Sequence, residues 1–384
     1  MLAPPDSPTV VLQVLPSLRT GGVERGTVEI AQAITKAAGI ALVASAGGPM
    51  VQAVERAGGR HIMLPLDSKN PFTIWRNAAR LEALIRAEHV TIVHARSRAP
   101  AWSAWLACQR TGAHFVTTYH GTYSEEFPLK RRYNEVMARG EIVIAASHFI
   151  KDLIIARYGT APDRIRVIPR GVDRAVFDPR NIVPDRLARL ARTWRLPDGV
   201  PTVVLPGRVT QWKGHAVLLE AIALMQHQDV CCVLVGSAQG RERYAASLVQ
   251  QAERLGIGGR VRLVGHCDDM KTALMLSDVV VHASTEPEAF GRVVIEAQAM
   301  GRPVIAADLG GPVETVVEGM TGWRVKPGDP AALAAAIDHV LRLDAGELRA
   351  LGERARASVP TLDAMCDATL DVYEAVLTGH AAAA

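Results

Sequence analysis

The feature that most constrains the fold is an alternation that runs the length of the chain. Short Val/Ile-rich runs recur, each followed by a stretch of helical spacing. Thr9–Leu15 is predominantly apolar, and Val23, Thr27, Ile30 and Ile34 then recur at helical intervals. Ile40–Ser45, Val90–His94, Phe115–Tyr119 and Ile142–Ala146 continue the series, and Ser147 is placed to cap the helix that follows. Runs without polar alternation suit strands buried on both faces, and strand–helix alternation predicts parallel, doubly wound sheets.

The pattern restarts in the second half. Thr202–Leu205, Val230–Val235, Val261–Val264, Val279–His282 and Pro303–Ala306 read as strands. Val217–Met225, Tyr244–Leu255, Met270–Leu276 and Val293–Met300 read as the intervening helices. Two α/β domains of similar size are therefore predicted within the 384 residues. An Arg- and Pro-rich stretch at 181–199 reads as a linker, between a first domain at 1–180 and a second at 200–360.

Composition excludes several classes. No run approaches the roughly 18 to 20 apolar residues of a membrane span, and the Pro-rich start, Met1–Pro8, is not that of a signal peptide. The five cysteines, Cys108, Cys231, Cys232, Cys267 and Cys366, form no Cys-x-x-Cys pair. That argues against zinc and against a disulfide framework, and for a reducing, cytoplasmic setting. Charge is uneven. Residues 1–180 carry 23 Lys+Arg and 15 Asp+Glu, and residues 181–384 carry 20 and 24. A basic half beside an acidic one points to an anionic partner of the first domain.

Three loops carry candidate chemistry. Pro16–Gly22 ends in Gly21-Gly22 at a strand-to-helix turn, where backbone can approach an anion. Its order is not that of the dinucleotide fingerprint, which disfavours a nicotinamide enzyme. Gly207–Gly214 sets Arg208 and Lys213 after the first strand of the second half, a fork and a point charge suited to phosphate oxygens. Glu288 lies in the loop after Val279–His282, and Glu296 lies about a turn inside the next, apolar helix. Carboxylates so placed suit hydroxyl-rich ligands. Glu286 with Glu288 also allows a metal pair, which no His or Asp in the adjacent sequence completes.

These loops together resemble the retaining glycosyltransferases of family 4. The Glu–seven residues–Glu signature is Glu288–Glu296. Gly21–Arg25, Tyr119–Gly121, Ile168–Asp173, Gly207–Gly214 and the GGPVETV and GMTGWRVKPGD segments agree in order. The resemblance implies the GT-B architecture, two Rossmann-like doubly wound parallel-sheet domains facing across a cleft that closes on the donor. A C-terminal helix at about 361–384 would pack back on the first domain. It implies transfer of a hexose, with retention, from a UDP- or GDP-linked sugar to a glycan or lipid-linked acceptor. Arg170, where the family more often has Asn, is a departure that adds a positive charge.

The implied roles are specific. His120 and Glu288 would act at the transferred sugar, Phe290 and Gly291 would touch its hydroxyls, Gly22, Arg208 and Lys213 would hold the diphosphate, and Glu296 the ribose. Arg96, Arg98, Arg131 and Arg132 would face an anionic acceptor. The segments around them resemble enzymes of lipopolysaccharide-core and other surface-glycan synthesis, with peripheral contact at the inner membrane face. No Asp-x-Asp motif is present, so no metal is expected; the nucleotide-sugar is a co-substrate and no cofactor is expected, nor is a nucleic-acid partner. The alternatives are a nucleotide-sugar-binding protein without transferase activity, or transfer to a phospholipid or small molecule.

Overall fold

The computed structural model describes residues 8–19, 21–125 and 127–379. The readings made on Met1–Ser7 and Ala381–Ala384, and Thr20 in the Pro16–Gly22 loop, lie outside them. The chain divides into two compact units, one formed by residues 1–169 with 362–384 and the other by 170–361.

The first unit holds a seven-stranded sheet, β1 (Val10–Val14), β2 (Ile40–Ser45), β3 (Arg60–Met63), β4 (Ile92–Ala95), β5 (His114–Tyr119), β6 (Ile142–Ala145) and β7 (Ile165–Val167). Their order is β3-β2-β1-β4-β5-β6-β7 and every pairing is parallel. Val11, Leu12, Val14, Ile92 and Val93 are buried, as strands covered on both faces require. Ser147 does cap helix His148–Tyr158, its hydroxyl accepting from the Ile150 amide at 3.2 Å.

The second unit holds β8 (Thr202–Pro206), β9 (Cys231–Val235), β10 (Val261–Gly265), β11 (Val279–His282), β12 (Val304–Ala307) and β13 (Trp323–Val325). Their order is β10-β9-β8-β11-β12-β13, again all parallel. Both sheets are thus doubly wound and Rossmann-like, in line with the alternation in the sequence. Each reverses direction once, between β1 and β4 and between β8 and β11. The carboxyl ends of strands at such a reversal are where open α/β sheets take ligands.

The stretch 181–199 is not a bare connector. Pro184–Thr193 is a helix begun by proline at its first turn. Trp194 behind it is buried against Val204, Cys231, Val233 and Ala273. The second unit therefore starts at Arg170, well before residue 200. At the other end, helix Leu362–Leu377 belongs to the first unit. It lays Met365, Val372, Tyr373 and Val376 into one core with Val11, Ile30, Ile34 and Val43.

Candidate functional site

The second unit gathers its candidates at the carboxyl ends of β8 and β11, which pair through Val203↔Val279 and Val204↔Val280. The Thr285 amide donates to the Trp212 carbonyl at 2.7 Å, tying the two following loops together. Gly214 permits the close approach. Its φ is 74°, and a Cβ there would collide with the carbonyl of Ala283.

Glu288 is the hub. Lys213 Nζ lies 2.5 Å from its Oε1, His282 Nε2 2.6 Å and Ser284 Oγ 2.5 Å. The Lys213 and Glu288 side chains are each 14% exposed. Burial pushes the Glu288 carboxyl up, but His282 and Lys213 outweigh it and hold the group well below the usual carboxylate range. Glu288 is therefore ionised. Its backbone is clamped as well, because the Gly311 amide donates to the Glu288 carbonyl at 2.8 Å. Gly310, at φ 71°, pairs with Glu288 as an isolated bridge.

Around this hub, Arg208 is exposed, with no ion pair among the described residues. Phe290 is buried. Gly291, at φ 80°, caps the short helix Arg292–Ala299, and a Cβ there would come within 2.7 Å of Pro312. Glu296 is buried on that helix, with Arg292 Nε 3.6 Å from its Oε1. Lys213, Glu288, Phe290, Gly291 and Glu296 thus sit on two loops and one helix start at a single sheet reversal.

In the first unit, Gly22 opens helix Gly22–Lys36 after β1, and His120 follows β5. Arg96, one residue past β4, is only 2% exposed, and its Nε donates to Gln13 Oε1 at 2.7 Å. That burial is at odds with an acceptor-facing guanidinium. Arg98 is half-buried; it donates to Asn134 Oδ1 at 2.8 Å and lies 4.3 Å over the Tyr123 ring. Arg131 and Arg132 are exposed, and the Arg131 guanidinium donates to the Arg157 carbonyl.

The description Glycosyltransferase Family 4 matches residues 20–176, and Glycosyl transferases group 1 matches residues 189–358. A D-inositol 3-phosphate glycosyltransferase of Xylanimonas cellulosilytica is 31% identical over 299 residues, spanning 73% of this chain and 71% of that protein. The chain belongs to glycosyltransferase family 4. A glycosyltransferase from Rickettsia africae is 37% identical, with a TM-score of 0.89 over 96% of this chain and 99% of that one. An Anabaena protein crystallised with UDP and glucose shares the fold at 24% identity, with a TM-score of 0.84 over 96% and 100% of the two chains.

The sequence of this glycosyltransferase did not point to His282 or Ser284. His282 ends an apolar strand six residues before Glu288, and only the turn of the loop returns the carboxylate to it. The signal available was a histidine closing the run VVVH just ahead of the Glu-rich loop. The ion pair between Lys213 and Glu288 was equally hidden, since the two residues are 75 apart in sequence.

Proposed function

We propose that the chain transfers a hexose, with retention of configuration and without a metal, from a nucleoside diphosphate sugar to an anionic acceptor. The observation that carries this reading is the Glu288 carboxyl 2.5 Å from Lys213 Nζ at the β8/β11 reversal. An acceptor for sugar hydroxyls and a cation for phosphate stand side by side there. Family membership supports the reaction class, and the absence of an Asp-x-Asp motif supports metal independence.

The chemistry follows from the groups present. Arg208 and Lys213 offset the charge that grows on the departing diphosphate. Glu288 is the candidate carboxylate beside the sugar, and double displacement needs two flanking the anomeric carbon. Front-face substitution is the reading that fits. The anomeric carbon–phosphate oxygen bond breaks, the acceptor oxygen bonds on the same face, and the acceptor proton passes to the leaving phosphate. Glu296 holds the ribose. Family resemblance would assign Gly22 to the diphosphate and His120 to the transferred sugar.

For the acceptor, relatives named for D-inositol 3-phosphate favour a small phosphorylated polyol. The basic first half, with Arg131 and Arg132 exposed, fits such an anion. A lipopolysaccharide or other surface-glycan acceptor is the second reading, favoured by the His94–Trp102 and Arg131–Gly140 segments. No helix among the described residues is long and apolar enough to cross a membrane.

The test is a thermal-shift series with UDP, GDP, ADP and their glucosyl or mannosyl esters, followed by nucleoside diphosphate release from the best donor. Release that depends on inositol 3-phosphate supports the reading. No stabilisation by any nucleoside diphosphate would overturn it.

A further inference from the structure

We propose that His282 is a positioning residue for the Glu288 carboxylate, fixing Oε1 from behind so that Oε2 stays aimed at a hydroxyl of the donor sugar. This rests on the reading of Glu288 as the group that faces that sugar.

The arrangement is one-sided. Lys213, His282 and Ser284 all converge on Oε1, at 2.5, 2.6 and 2.5 Å. Among the described residues no hydrogen bond goes to Oε2. A carboxylate is acceptor-only, and its terminal torsion is broad when unheld. Three donors on one oxygen fix that torsion and leave the other oxygen with its full accepting capacity.

The three donors are not equivalent. Lys213 is the one a diphosphate competes for, because it is a mobile point charge. His282 and Ser284 are buried at the strand end, the imidazole side chain 2% exposed. They hold Oε1 whether or not Lys213 is drawn towards phosphate. At 2.6 Å from a carboxylate oxygen, Nε2 must carry its hydrogen. Nδ1 is buried without a hydrogen-bond partner, and the ring's one further contact is also on Nε2, from which Ser284 Oγ lies 3.3 Å. Gly291 lies nearby: a Cβ built there would be 3.7 Å from Nε2.

The test uses the full chain and whichever pair, UDP with UDP-glucose or GDP with GDP-mannose, raises its melting temperature more. His282→Ala should bind the bare nucleoside diphosphate within about twofold of the parent. Loss of one charge-assisted hydrogen bond should lower kcat by about 10- to 100-fold. His282→Gln, whose amide can donate to the same oxygen, should recover most of that loss.

Full kcat in His282→Ala, alongside inactive Glu288→Ala, would overturn the positioning role and leave the Glu288 reading standing. Equal losses in the Ala and Gln variants, or lost nucleoside diphosphate binding in His282→Ala, would make His282 part of the general scaffold and overturn it too. Active Glu288→Ala would instead remove the reading on which the proposal rests.

Discussion

The Tyr373 hydroxyl lies 2.7 Å from Nδ1 of His94, joining helix Leu362–Leu377 to β4 across 279 residues of sequence. The other imidazole nitrogen is 2.6 Å from Thr118 Oγ1. Burial, with Arg96 and His120 nearby, holds His94 well below its ordinary value, and burial pushes the Tyr373 phenol up. The pair is uncharged, and the contact is one between neutral groups in the core.

That helix should be indispensable to the first unit. Tyr373→Phe leaves a buried imidazole nitrogen unpaired and should cost about 1–3 kcal/mol. Truncation after Thr361 should abolish cooperative urea unfolding of the first unit, because it strips Met365, Val372 and Val376 from the core. An unchanged midpoint in the truncated chain would show that the helix is no part of that core.

His215 should make the second unit sensitive to acid. It is fully buried, its Nδ1 lies 3.3 Å from the Thr210 carbonyl, and burial, with help from Lys213, lowers its pKa to about 4. The unfolded chain titrates near 6.5, so it gains the proton first as pH falls. The stability held by neutral His215 is complete above about 6.5 and is lost progressively down to about 4, amounting to about 3 kcal/mol. Urea midpoints of His215→Leu should fall less between pH 7 and pH 4.5 than those of the parent. Parallel slopes would contradict this.

Trp194 should behave as core. At 5% exposure, in a cluster with Val204 and Val233, Trp194→Ala should cost about 3–5 kcal/mol. A tryptophan in a solvated connector would cost under about 0.5 kcal/mol. Denaturant unfolding of the variant separates the two.

Lys213→Ala should weaken binding of a nucleoside diphosphate by about 10- to 100-fold, through loss of a charged hydrogen bond. It should leave nucleoside binding nearly unchanged. Calorimetry with both ligands checks this. Equal losses would remove Lys213 from the diphosphate.

Arg131→Ala with Arg132→Ala should weaken the acceptor, read as the KM for inositol 3-phosphate, without changing donor affinity. Exposed charges are screened beyond about 8–10 Å at physiological salt. The parent's acceptor KM should therefore rise with added NaCl, and that of the double variant should rise less. Identical salt curves would mark the pair as solvated surface.

The central strands were legible because each is an apolar run, and the helices between them because their apolar residues recur at helical spacing. Val279–His282 was located to the residue. Three of the four edge strands were not: Arg60–Met63, Ile165–Val167 and Trp323–Val325 are short and partly exposed, whereas the fourth, Val261–Gly265, carries the run Val261–Val264 that marks it. Pro184–Thr193 escaped because its polar, Arg-rich surface imitates a linker, and its attachment depends on Trp194, just past its end. In the site, residues held by their own loop were visible in the motif. Partners supplied from elsewhere, such as His282 on Glu288, depend on where the turns return the chain.

The most direct measurement is calorimetric titration of a nucleoside diphosphate into Glu296→Ala and Glu288→Ala, paired with a transfer assay on each. Glu296 is buried on the helix that Gly291 begins, and Glu288 lies on the loop before it. The expected result is that Glu296→Ala weakens the bare nucleotide, whereas Glu288→Ala binds it nearly as the parent does and loses transfer. Weak nucleotide binding by Glu288→Ala with normal binding by Glu296→Ala would contradict the assignment of ribose to one carboxylate and sugar to the other.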